Sequence, residues 1–130
     1  MDFKTIGDYE TKLCTIASAT VIEAGDIVTL TSGLIVKAGA ASATIGYCPK
    51  GSANGETQVA VSVGNIELEG TADAVFAVTQ KGTEVDIAGT TTLLIDVGAS
   101  STDVFKVDFS ENAGTVGSTE GVRVRINKPL

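Results

Sequence analysis

The sequence predicts an all-β protein, a compact β-sandwich or small β-barrel of about ten short strands with an extended N-terminal arm. Three observations carry that expectation. Apolar residues recur with period two, as in Val59, Val61 and Val63 or Val122, Val124 and Ile126. The alternating segments are short and bounded by Gly, Asn, Asp and Ser. Stretches with a helical period are almost absent. The chain has 130 residues and shows no second composition regime and no linker, so it divides only into an arm, residues 1–12, and a single β domain, residues 13–130. A domain of that size can build a core without disulfides or metals.

Taken in order, the first dozen residues mix charge with scattered apolar side chains, including Asp2, Phe3, Lys4, Thr5, Ile6 and Tyr9. Such a segment suits an arm that orders by adding a strand to a partner's sheet edge. Weaker strands follow at residues 9–16, 20–23, 27–31 and 34–37, with Ala24-Gly25-Asp26 and Thr31-Ser32-Gly33 as the turns between the last three. Glycine takes the positive φ that tight reversals demand, so residues 20–37 read as a three-stranded meander. Small residues at 38–43 predict one helical turn or a loose crossover, and a strand is expected at 44–47. A loop at 51–55 precedes the clearest strand, 58–63; Gly64-Asn65 turns the chain into 66–69, with Ile66 and Leu68 inward and Glu67 and Glu69 toward water. Residues 71–74 read as the cap of a short turn, and 75–78 as either that turn or a strand. Strands at 84–87, 93–97, 104–109 and 122–126 complete the chain, with a long polar loop at 110–120. On the last strand Arg123 and Arg125 share the face opposite the apolar residues.

Composition excludes several function classes. Without His there is no Ser-His-Asp or Cys-His triad and no His-bearing zinc site. Sixteen acids against nine bases give a net charge of −7, which repels phosphate backbones and argues against nucleic acid as a partner. Apolar runs such as 75–78 and 93–95 are far shorter than a membrane span, and residues 1–4 lack the pattern of a secretory signal, so the chain reads as an intracellular product. In that compartment Cys14 and Cys48 are expected as free thiols.

Chemistry-bearing patterns have plainer explanations. Glu67 with Glu69, or Asp86 with Asp96, resemble the carboxylate pair of a glycosidase, but alternating acids also make the solvent face of a strand. Asp73, Asp86, Asp96, Asp103 and Asp108 are too spread out for a calcium loop. Gly39, Gly51, Gly55 and Gly64 do not match a phosphate cradle and read as turns. No catalytic residue, metal or cofactor is expected. Arg123, Arg125 and Lys128 place three of the nine bases within six residues, either a solvated strand face or a docking patch for an acidic partner.

The order Ala24-Gly25-Asp26-Ile27-Val28-Thr29-Leu30, Gly33-Leu34-Ile35-Val36-Lys37-Ala38, Ile45-Gly46-Tyr47, then Gly55-Glu56-Thr57-Gln58-Val59-Ala60-Val61 resembles the head decoration, or capsid cement, proteins of tailed bacteriophages. In that family an Ala-Gly-Asp turn, a Gly-centred hairpin, an Ile-Gly step and a Gly-Glu strand opening follow one another at similar spacing. The resemblance covers roughly residues 20–70; the second half carries no motif of the family. It implies a non-enzymatic structural protein, made in the host cytoplasm, that binds the major capsid protein on the outer surface of the virion, as a homotrimer or beside neighbouring copies. It also implies that residues 2–9 form an arm pairing with a capsid strand, whose deletion abolishes binding and leaves the β domain folded. The alternatives are a glycan-binding, adhesin-like recognition module and a tail or sheath subunit.

Overall fold

Eleven strands and one 3₁₀ turn, Val78–Gln80, make up the regular structure of this chain in a computed structural model that describes residues 2–53 and 55–130. Met1, at the head of the expected arm, and Asn54, in the expected 51–55 loop, lie outside the described residues. The strands are β1 Phe3–Ile6, β2 Glu10–Thr15, β3 Asp26–Thr31, β4 Leu34–Lys37, β5 Gly46–Cys48, β6 Gln58–Val63, β7 Glu67–Gly70, β8 Glu84–Ala88, β9 Leu94–Asp96, β10 Phe105–Val107 and β11 Val122–Ile126.

All the ladders between these strands are antiparallel, and they form three sheets: β1-β7-β11-β10-β8-β9, β4-β3-β5 and the ribbon β2-β6. Alternation decides what each face meets. Leu68, Val122, Val124, Ile126, Phe105, Val107, Val85 and Ile87 line the inner face of the large sheet and pack with Ile27 and Tyr47 of the three-stranded sheet. One residue along β3, Val28 points the other way and joins Ile35, Cys48, Val59, Val61, Ile16 and Ile22 in a second core. The three-stranded sheet thus lies between the large sheet and the ribbon, with β5 and the first half of β3 buried and its far end, at Leu30 and Leu34, exposed. Two seams hold the ribbon in place, the Ala17 amide donating to Ile35 O (2.9 Å) and the Tyr47 amide donating to Ser62 Oγ (2.9 Å). The fold is therefore an all-β sandwich of the expected class.

Three sequence expectations are corrected. The segment expected as an arm is the first strand of the chain's own large sheet, with Phe3 opposite Gly70 and Ile6 opposite Glu67. Phe3 is 1 % exposed, and the proposed boundary after residue 12 falls inside β2. The reason is area: a buried Phe gains more from the core than a mobile arm gains in entropy. Residues 20–23 are not a strand, because Ile22 exchanges its backbone bonds with Ser52, its amide donating to Ser52 Oγ (3.0 Å) and its carbonyl accepting from the Ser52 amide (2.7 Å). The strand expected at 104–109 stops at Val107, where the Asp108 carboxylate accepts both the amide (3.1 Å) and the hydroxyl (2.7 Å) of Ser110 and closes an Asx turn. Phe109 is thereby turned out of the core and is 82 % exposed.

Candidate functional site

The structure brings the expected arm and the Ala24-Gly25-Asp26 turn into contact. Gly25, at φ 88°, directs its carbonyl at the Phe3 amide (3.3 Å), and the Tyr47 hydroxyl donates to Phe3 O (3.3 Å). Lys37, at the end of β4, completes the junction: its Nζ lies 3.4 Å from Asp26 Oδ1 and 3.7 Å from Asp2 Oδ2 and donates to Thr91 O. Asp2 in turn accepts the Leu93 amide (3.1 Å), and Asp26 accepts the Glu23 amide (2.9 Å). One lysine therefore ties together the N-terminus, the turn and the loop before β9. Asp26 is buried, so removing its cation leaves a poorly solvated charge. Lys37→Met is expected to cost about 2 kcal/mol, read as a lower urea midpoint at an unchanged slope.

The expected docking residues are placed differently. Arg123 and Arg125 lie on the outer face of the large sheet, in register with Glu69 and Glu67 of β7. Arg125 bonds Asn65 O (2.7 Å) and sits 3.9 Å from Glu67, while Lys4 of β1 pairs with Glu69 at 3.2 Å. Lys106 stands between Arg125 and Glu84, and Asp108 donates its amide to Arg123 O (3.0 Å). Lys4, Lys106, Arg123 and Arg125 thus stand among Glu67, Glu69, Glu84 and Asp108, and by alternation Asp86 and Asp96 continue the same face toward β9. It is a mosaic of mixed charge, with Lys4–Glu69 and Arg125–Glu67 as its ion pairs, rather than a basic island. Lys128 is apart from it, its ammonium donating to Thr102 O (2.8 Å).

Phe109 stands at the rim of this mosaic, beside an open groove of about 270 Å³ lined by Glu67, Lys106, Val124 and Arg125 among others. A large aromatic ring bordered by charges of both signs matches the anatomy of a protein contact, an apolar anchor with a polar rim. Burial works to raise the Asp108 carboxyl, but Ser110, the Phe109 amide and the Arg123 guanidinium hold it below its ordinary value, so the turn that presents Phe109 is held by an ionised group.

The carboxylate pairs read from the sequence are structural. Asp86, 5 % exposed, accepts the amides of Ser101 (2.8 Å), Thr102 (2.9 Å) and Asp103 (2.8 Å) and is saturated by that loop. Burial and then the neighbouring Asp73 carboxylate raise the pKa of Asp96, which lies opposite Asp86 on β9. Among the described residues no three acids or cysteines gather as a metal site. Cys14 and Cys48 are free, as expected, and burial pushes the Cys48 thiol up. Sequence reasoning missed Lys37 and Phe109. The signal for Phe109 was present in Asp108-Phe109-Ser110, an Asx-turn pattern that ends a strand before its last apolar residue. Among the described residues no helix is long and apolar enough to cross a membrane. No family model, curated protein or solved structure matches this chain.

Proposed function

We propose that this protein is a structural component of a tailed-bacteriophage head, binding the major capsid protein on the outer surface of the assembled shell and stabilising it. One observation supports this reading above the others. The four segments that carry the resemblance to capsid cement proteins lie together in space: three are β3, β4 and β5 of one sheet, and the fourth is β6, seated on it around the second core. In this reading the contact surface is the charge mosaic with Phe109 at its rim. Residues 2–9 are engaged in the chain's own sheet and core. A ligand that binds only the mature lattice stabilises it by RT ln(1 + [L]/Kd) at each site, and repetition over many sites adds avidity.

Cosedimentation of the purified chain with emptied, expanded capsids tests the proposal. Saturable binding and a raised melting temperature of the shell are expected, and Phe109→Ala is expected to weaken binding about tenfold with little change in its own stability. Absence of binding to expanded shells overturns the proposal. The exposed ring of Phe109 is also what a glycan-binding module would present. Glycan-array binding that Phe109→Ala abolishes, with no capsid binding, establishes that second reading instead.

A further inference from the structure

The ribbon strand β2 has one free edge. The Ile16 amide donates to Thr57 O beyond β6, so by alternation the main-chain groups of Glu10, Lys12 and Cys14 serve the β6 ladder. Those of Thr11, Leu13 and Thr15 point the other way. On that side β4 reaches β2 only at its end, through the parallel bridge of Ile16 with Ile35. Stepping back from that bridge, Thr15 lies beside Leu34 and the next residues run alongside the Ser32-Gly33 turn, where the neighbouring sheet ends. Glu10, Thr11, Lys12 and Leu13 are all exposed, and among the described residues no ladder pairs with their outer edge. A straight edge without proline or bulge is a template for another strand.

The charges on this edge select the strand that fits. We infer that the free edge of β2 pairs with the same edge of a second copy, antiparallel about a two-fold axis through Thr11. In that register Glu10 of each copy stands opposite Lys12 of the other. These positions are the non-hydrogen-bonded pairs of the new ladder, where side chains approach most closely. Sliding the partner by two residues, the smallest slip that keeps the outward main-chain groups matched, brings Lys12 against Lys12 in one direction and Glu10 against Glu10 in the other. Sliding by four sets Lys12 against Cys14 and pushes the partner into the Ile16–Ile35 seam. Lys12 alone is the usual guard of an edge strand. With Glu10 two residues away it rejects other registers and admits this one. The pairing also forms without a capsid, so it stands independently of the proposed shell binding.

Sedimentation of the full chain over a concentration series, with no capsid present, tests the inference. The wild type is expected as a monomer–dimer equilibrium. Lys12→Glu and Glu10→Lys each place like charges opposite one another twice and are expected to raise the dissociation constant at least tenfold, while the double variant Glu10→Lys/Lys12→Glu regains the wild-type value. Both positions are exposed, and circular dichroism confirms that the fold is retained. A wild type that stays monomeric throughout overturns the inference, as does an oligomer that Lys12→Glu leaves intact or that the double variant fails to restore.

Discussion

Phe3→Ala is expected to destabilise the protein by about 3–5 kcal/mol, a large share of the roughly 5–15 kcal/mol that holds a domain folded. The ring is 1 % exposed, packs on Phe105 at 5.4 Å between centroids, and lies directly over Gly70. A Cβ at Gly70 would stand 2.5 Å from Phe3 Cε2, so the glycine is the space the ring occupies. Gly70→Ala is therefore expected to be destabilising by itself and much less so in a Phe3→Ala background, because the vacated space accepts the methyl group. Urea denaturation of the two single variants and the double gives that coupling directly, and strict additivity contradicts it. The same packing reverses the expectation for a deletion of residues 2–9. Loss of that segment removes β1, the Phe3 ring and the Asp2–Lys37 contact together, and the expected outcome is loss of a cooperative unfolding transition.

Alternation along the chain shows which face a residue occupies but not what lies beside it. The inward set Val59 and Val61, Ile66 and Leu68, and Val122, Val124 and Ile126 follows from period two alone, and each is buried. Arg123 and Arg125 were equally legible as one outward face. Their register neighbours Glu69 and Glu67 are more than fifty residues away, and only the β7–β11 ladder sets these charges side by side. A basic cluster in sequence thus stands among acids in space. Residues 20–23 failed for a different reason: a Val-Ile pair beside a Glu has strand composition, but its backbone bonds go to Ser52. Phe3 failed because four residues at a chain end are too few for a periodic signal, while a single aromatic side chain carries enough buried area to dock them. Lys37 was legible as a strand end, and its role depends on three segments that meet only in the fold.

Asp86→Asn is expected to cost about 3 kcal/mol at pH 7, and the cost is expected to shrink in acid. The carboxylate gathers three consecutive amides of the 101–103 loop, with Ser101 reaching both Oδ1 (3.0 Å) and Oδ2 (2.8 Å). An asparagine keeps one acceptor oxygen but turns an NH₂ toward a donor, leaving a buried amide unpaired. Asp103 sits in that loop at φ 53°, a conformation the Asp86 contacts help to impose, with Asn127 and Lys128 bonding the carbonyls on either side. Burial works to raise the Asp86 carboxyl, but the amides of Asp103, Ser101 and Thr102 outweigh it and hold its pKa below the ordinary value. Its contribution is therefore complete above the unfolded-state pKa of about 3.9 and is lost as the pH falls through the lower folded value. Asp96 has the opposite sign. Burial and Asp73 raise its pKa, so the folded state gains relative stability as the pH falls toward the unfolded value, and the ionised form is a cost at neutral pH. Asp96→Asn is accordingly expected to stabilise the protein at pH 7, with a gain that fades in acid. Urea midpoints of both variants against the wild type between pH 7 and pH 3 separate the two carboxylates. A cost for Asp86→Asn that stays constant over that range would show that its carboxylate charge does not hold the loop.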